Sequence, residues 1–303
     1  MARSGPPVVA FYSFKGGVGR TTTLANVGYL LAEEGQHVFL WDFDLDAPSL
    51  HNLVGIMARY EEQQRGRQGM ITPPPDVGFA DYLVQWERED HQPPSALKPF
   101  LQRFPVGDRG GQIEFLGAGF NGPEYVTKLA EIHWETFYEV GGYDLLEHLR
   151  GQIAVRGPSI ILIDAGSGLT DPSFAAVLQL ADVAVLQFRL DQDGVDGIAT
   201  ANNLFRRRTD PELKLLNVPS MVPSGDLFRD VLAAKARAEA RGVPFLKSRL
   251  DDGSGEVEDL EIPFEMSLQL IDEVFVQSRT QHPLSREYRK LKNEIWERAQ
   301  PVY

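Results

Sequence analysis

Ser13-Phe14-Lys15-Gly16-Gly17-Val18-Gly19-Arg20-Thr21-Thr22 is the stretch on which the reading of the chain turns. The apolar run Val8-Val9-Ala10-Phe11-Tyr12 leads into it and reads as a buried strand. Leu24 to Glu34 leads out of it and reads as a helix. A Gly-rich turn between a strand and a helix N-terminus gathers backbone N–H groups and the helix dipole around an anion, so it reads as a phosphate cradle. The strict phosphate-loop pattern G-x-x-x-x-G-K-[ST] fails here at two places. Phe14 stands at the first Gly position and Arg20 at the Lys position. Gly19, a cation at 20 and the hydroxyl of Thr21 remain, and an additional Lys15 opens the loop.

The chain of 303 residues is long enough for one large α/β domain or two small ones, and it is read here as one domain over 1–303. At 43% apolar and 24% charged residues it has the composition of a soluble globular protein with a sizeable core. The formal net charge of −13 opposes non-specific binding to DNA or to an anionic membrane. Cysteine is absent, which excludes disulfides, thiol catalysis and Cys-ligated metals and agrees with a cytoplasmic location. Met1 to Pro7 is too short to hold a signal-peptide core, and no apolar stretch approaches the ~20 residues that span a bilayer.

Leu24, Val27, Leu30 and Leu31 recur at helical spacing, and Gly35 fits the position just past the helix end. Val38-Phe39-Leu40-Trp41 is a second buried strand, ending in Asp42-Phe43-Asp44-Leu45-Asp46-Ala47-Pro48. This opening unit is therefore βαβ, with the right-handed crossover such units take. Residues 55–112 are less regular and read as a helical insertion, with a short helix over Phe79 to Trp86. Further strands are expected at Ile113–Leu116, Ser159–Asp164, Val183–Phe188, Leu213–Val218 and Val257–Ile262. Helices are expected at Glu124 to Tyr138, Tyr143 to Arg150, Asp171 to Leu180, Val195 to Arg207, Leu227 to Ala240 and Leu284 to Arg298. Continuous apolar strands alternating with helices give a doubly wound, mostly parallel sheet with helices on both faces. Ligands in that architecture sit at the C-terminal edge of the strands. The 13–22 loop, Asp42, Asp44 and Asp164 all fall there.

Each of these groups has a bland reading beside a chemical one. A Thr pair at a helix start is a simple cap when it stands alone. With Gly16, Gly17 and Gly19 before it, Thr21 reads as a Mg²⁺ ligand and Thr22 as a phosphate contact. Arg20 keeps the charge of Lys in a larger, planar group, so it is either a tolerated substitution or the mark of a slow or inactive site. Lys15 is a solvated loop residue or a charge given to a partner's nucleotide. Asp42, Asp44 and Asp46 alternate and share a face of an extended segment, where they would repel without a cation or water network. Asp164 ends a run of four aliphatic residues and is followed by Ala165-Gly166-Ser167-Gly168, the pattern of a strand-end metal carboxylate and a mobile switch. His37, His51, His91, His133, His148 and His282 show no metal-ligand spacing.

Lys15-Gly-Gly-Val-Gly-Arg-Thr-Thr22 resembles the deviant Walker A motif of the MinD/ParA family of P-loop ATPases, K-G-G-x-G-[KR]-[ST]. Trp41-Asp-Phe-Asp-Leu-Asp-Ala-Pro48, Ile163-Asp-Ala-Gly-Ser-Gly-Leu-Thr170 and Glu261-Ile-Pro-Phe264 extend the likeness over most of the chain. Phe11-Tyr-Ser-Phe-Lys15 and Leu116-Gly-Ala-Gly119, with Tyr125 and Trp134-Glu135, resemble one branch that includes bacterial signalling and defence proteins. The resemblance implies ATP/ADP and Mg²⁺ as cofactors and an ATP-sandwich homodimer that controls a protein partner. Phosphates would lie on Gly16, Gly17, Val18, Gly19, Arg20, Thr21 and Thr22. Thr21 would ligate Mg²⁺, with Asp42 and Asp164 holding its waters. Asp44 would position the attacking water, Arg20 would lie along the phosphates, and Lys15 would reach the opposite nucleotide. Adenine would sit near Asn217, Pro219 and Phe264. Arg20 and the proline-free switch depart from the usual pattern. Three other readings remain open: a module that holds nucleotide without turnover, a ParA-like DNA-associated ATPase, and a MinD-like protein anchored by its terminal helix.

Overall fold

Val8 to Tyr12 is apolar at every position because the strand it forms is covered on both faces. Val8, Ala10 and Tyr12 enter one core and Val9 and Phe11 the other, as a two-residue period requires. The computed structural model describes residues 5–72, 75–119, 122–208, 212–223, 227–249 and 256–300. Its strands are β1 (Val8–Ser13), β2 (His37–Asp42), β3 (Leu101–Val106), β4 (Gly111–Leu116), β5 (Ile160–Ser167), β6 (Val183–Phe188), β7 (Lys214–Val222), β8 (Lys247–Arg249), β9 (Val257–Asp259) and β10 (Ile262–Pro263). The helices are α1 (Arg20–Glu33), α2 (Leu50–Gln64), α3 (Phe79–Arg88), α4 (Glu124–Ala130), α5 (Gly142–Ala154), α6 (Asp171–Phe174), α7 (Gln192–Phe205), α8 (Phe228–Ala240), α9 (Phe275–Ser278) and α10 (Pro283–Ala299).

Eight strands form one sheet in the order β10-β7-β6-β1-β5-β2-β4-β3, parallel except for β3. From β1 the chain passes on one side to β2, then to β3 at the edge, and comes back one place inward as β4. It returns through β5 and continues on the other side through β6 and β7. The winding reverses around β1, which puts the switch point, and the crevice that comes with it, at the end of that strand. Residues of α1, α2, α9 and α10 cover one face, and residues of α3, α5 and α7 cover the other. Leu284, Tyr288, Leu291 and Ile295 of α10 are all buried. Each such side chain stabilises the fold by roughly 1.5–3 kcal/mol, and the stripe is spent on the sheet, not on lipid. Among the described residues no helix is long and apolar enough to cross a membrane.

Several elements differ from the sequence expectation. The 55–112 stretch holds more than helix, because β3 pairs antiparallel with β4 through a turn in which Gly107 and Gly110 have positive φ. Polar Gln102 and Arg103, and Pro105, hid that strand, although Phe104 and Val106 alternate inward. Thr72 closes part of its outer edge by bonding Arg103 through both backbone N–H groups, at 2.9 and 2.5 Å. The helix expected from Glu124 through Tyr138 stops at Ala130, and Trp134 and Phe137 then pack with Trp86 as an aromatic group. The Asp171–Leu180 helix begins as α6 and widens into a π-helical turn over Ala175–Leu180. β7 runs through Pro219 to Val222 because β10 pairs with Ser220 and Val222. The last expected strand splits: Val257–Asp259 joins a separate ribbon with β8, Leu260 turns inward, and only Ile262–Pro263 enters the sheet.

Glu114 of β4 ties the far side of the sheet to the chain beyond α5. Arg156 grips it with two hydrogen bonds of 2.6 and 2.7 Å, and His37 lies 3.6 Å away. Burial pushes the Glu114 carboxyl up, but the hydrogen bonds and charges of His37 and Arg156 outweigh it and hold it at about 2. The stabilisation is therefore complete above the ordinary carboxylate range and is lost as pH falls toward about 2. Glu114→Gln is expected to lower stability at neutral pH by about 1–3 kcal/mol and to flatten the acid limb of the stability profile. Urea midpoints measured from neutral pH into acid check this; parallel wild-type and variant profiles would contradict it.

Candidate functional site

The ends of β1, β5 and β2 bring the chemistry-bearing groups together. Asp164 stands in register with Phe11 on one side and with Asp42 on the other. The chain leaving β1 turns through Gly17 at φ 75° and Gly19 at φ 82°, left-handed positions that favour glycine. Gly19 caps α1, and its carbonyl accepts the first helical bond from the Thr23 N–H at 2.9 Å. The N–H groups of the first turn, including those of Thr21 and Thr22, lack helical acceptors and open toward the loop. The loop encloses a cradle of about 270 Å³ lined by Gly16 through Thr22, with Asp44, Ser49 and Ser167 on its walls. Val18 is buried beneath it.

Arg20 is only 7% exposed, and its guanidinium is turned toward carboxylates. Nε donates to Asp164 Oδ1, Nη2 to Asp44 Oδ2 at 2.5 Å, and Nη1 to Ser13 Oγ at 3.3 Å. Burial works against the guanidinium charge, but Asp164 and Asp44 outweigh it and raise its affinity for the proton. Thr21 Oγ1 donates to Asp164 Oδ2 at 2.5 Å, so both oxygens of that carboxylate are engaged. Asp44 Oδ1 accepts from the Ala47 N–H at 3.2 Å. Asp42 is fully buried, accepts from the Asp44 N–H at 3.2 Å through Oδ1, and has no hydrogen-bond partner on Oδ2. Burial, reinforced by Asp164 and Asp44, pushes the Asp42 carboxyl well above the usual range. The sequence expectation laid Arg20 along phosphates; its guanidinium is found on Asp164 and Asp44 instead, the nearest strong acceptors for a buried fork.

The switch segment runs beside this group. Gly166, at φ 76°, lies against Asp44, and the Gly168 N–H donates to the Ser13 carbonyl at 3.0 Å. Lys15 is half exposed, and Nζ pairs with Asp193 at 2.6 Å. Phe14 packs its ring onto Gly197 of α7, where any side chain would collide with it. A second cleft of about 340 Å³ lies between this half of the loop and the start of α7. Sequence reasoning missed Asp193, Gly197 and Ser49. The first two lie more than 170 residues from their partners and carry no local pattern.

Two of the three residues expected at the base lie inside the sheet. Asn217 and Pro219 are buried within β7, which ends three residues beyond Pro219. The Asn217 amide is paired with that of Asn202 at 2.6 and 3.1 Å, and neither Asn217 nor Pro219 lines the cradle or the cleft beside it. Phe264 does stand at the sheet's C-terminal edge, 42% exposed, with its N–H donating to the Val222 carbonyl at 2.9 Å. In the consecutive arginines 206–208, Arg206 and Arg207 are exposed, while Arg208 reaches the carbonyls of Val177 and Ala181.

Three comparisons bear on this geometry. The chain is 46% identical over 59 residues to the chloroplastic septum site-determining protein minD homolog of Arabidopsis thaliana, a match over 20% of this chain and 18% of that relative. The septum site-determining protein MinD of Pyrococcus horikoshii, complexed with Mg-ADP, is similar in structure with a TM-score of 0.63 at 17% identity, over 96% of each chain. Cobyrinic acid a,c-diamide synthase of Mycobacterium smegmatis, with bound ATP analog and magnesium, has a TM-score of 0.61 at 20% identity, over 98% of this chain and 99% of that one. The two structural likenesses carry the fold. The profile described as CobQ/CobB/MinD/ParA nucleotide binding domain matches residues 9–285, and the chain belongs to that family.

Proposed function

We propose that the protein is a Mg²⁺-dependent ATP-binding switch that hydrolyses ATP slowly, pairs with a second copy across the nucleotide, and so controls a partner protein. The observation that carries this reading is the meeting of the 16–22 cradle with Thr21, Asp42, Asp44 and Asp164 at one sheet edge. The whole chain 1–303 acts as one ATPase domain in this reading, working in the cytoplasm, and bacterial signalling or defence is the setting its motif branch favours. Base contacts are assigned to the edge around Phe264.

The donor set suits magnesium. Thr21 and Asp164 offer hard oxygens side by side, and buried Asp42 Oδ2 lacks a partner. Magnesium takes one or two protein oxygens and completes its shell with phosphate and water. Thr21 would ligate the ion directly, with Asp164 and Asp42 on its waters; the ion supplies positive charge to the phosphates. The chain's own residues do the rest. Backbone N–H groups of the cradle bind and orient phosphate oxygens. Asp44, at the cradle wall, accepts a hydrogen bond from the attacking water and aligns it. Lys15 leaves an exposed carboxylate at little cost, since exposed pairs are weak, and reaches the partner's nucleotide. A second reading, nucleotide held without turnover, is favoured by Arg20, which occupies both Asp44 and Asp164.

Asp44→Ala is expected to reduce steady-state phosphate release about 10²-fold while keeping nucleotide binding. Equal release by the two proteins would leave the second reading standing. Thr21→Ala is expected to weaken Mg-ATP binding by about tenfold or more, read by calorimetry. Solution mass should double with a non-hydrolysable ATP analogue and stay monomeric with ADP, and Lys15→Ala should remain monomeric throughout. A wild-type monomer in every nucleotide state would remove the paired switch.

A further inference from the structure

We infer that Arg20 is an internal counter-ion that couples divalent-cation binding to nucleotide, because its guanidinium holds Asp164, which the cation's water shell requires, together with Asp44, which the attacking water requires. The inference rests on the nucleotide-site reading above and adds a regulatory step to it. One planar group bridges Asp164 and Asp44 and also touches Ser13. Thr21 fills the second oxygen of Asp164. Both oxygens of Asp164 are therefore engaged while Arg20 stays in place, and a metal-bound water would have to share them. A cation approaching that carboxylate also meets a buried positive charge, which little solvent screens.

Arg20 has a second destination. It lies in the first turn of α1 and lines the phosphate cradle as well as the carboxylate group. A guanidinium fork matches phosphate oxygens as well as it matches carboxylates. Phosphate and the Asp164/Asp44 pair thus compete for one group. When phosphate takes the fork, Asp164 is released to the metal's water shell and Asp44 to the attacking water. Nucleotide and cation then bind with positive coupling, and the coupling is reciprocal. A lysine could not build this device, since a single ammonium on a flexible stem does not span two carboxylates with fixed geometry. Arg at 20 is on this account the origin of the gating.

The test measures Mn²⁺ binding to the full chain by the loss of the free-ion electron paramagnetic resonance signal. Once the Mn²⁺ held by the same concentration of ADP without protein is subtracted, wild type should bind Mn²⁺ at least about tenfold more weakly without nucleotide than with ADP, a modest value within the usual range of site coupling. Arg20→Met should bind Mn²⁺ without nucleotide at least about tenfold more tightly than wild type, and Arg20→Lys should fall between them. Adding Asp164→Asn to Arg20→Met should abolish the gain. Wild type binding Mn²⁺ equally with and without ADP would overturn the inference, as would a folded Arg20→Met that gains nothing. If Arg20→Met does not fold, wild type and Arg20→Lys decide. ADP binding is measured separately by calorimetry: its absence sinks the nucleotide reading, whereas the metal gain on removing Arg20 still reports on the counter-ion.

Discussion

Two carboxylates in register on neighbouring strands set the problem that the rest of the structure answers. Asp42, the last residue of β2, and Asp164, inside β5, are both buried, with Asp44 just beyond β2. Three such groups cannot all carry charge in a dry site without strong repulsion. Arg20 neutralises part of that charge, and Asp42 is pushed toward its protonated form. The loop, the switch segment and the start of α2 are arranged around this group. Gly19 lets α1 begin where Arg20 can enter, and Gly166 lets the last residues of β5 pass close to Asp44.

The arrangement stores its charges in a form ready for exchange. Each polar partner has an alternative in the proposed switch: Arg20 in phosphate, Lys15 in a second molecule, Thr21 in a metal ion. A buried ion group of this kind contributes little net stability compared with apolar packing of similar volume. Its retention at the mouth of a cradle is better explained by the alternatives it offers. The sheet around it is dense and apolar, so small shifts at the edge have rigid elements to act on.

Much of this was legible before any coordinates. Val8–Tyr12, Val38–Trp41 and Ile160–Ile163 are unbroken apolar runs, and only strands buried on both faces read that way. The Gly spacing at 16, 17 and 19 and the aspartates at 42, 44 and 164 pointed to one sheet edge, and the structure brings those residues together there. What escaped was of two kinds. β3 hides behind polar residues because its outer side meets solvent and Thr72, leaving only Phe104 and Val106 as inward signals. The strand over 213–218 was read as ending before Pro219, whereas β10 pairs beyond that residue and β7 runs on to Val222. The pairings of Lys15 with Asp193 and of Phe14 with Gly197 are purely tertiary. The direction of the Arg20 side chain was likewise beyond pattern reading, since it depends on which acceptors the fold brings nearest.

The edges of the sheet carry a consequence for how copies of this protein can meet. An open strand edge is a template on which a neighbouring chain can extend the ladder. On the β3 side, Thr72 bonds Arg103, and Pro105 contributes no N–H. On the opposite side β10 offers only two residues, one of them Pro263. Neither border is a good seed for strand-by-strand growth. Such borders disfavour fibre-like stacking and leave the edge where the strands end as the face that the proposed pairing across a small ligand would use.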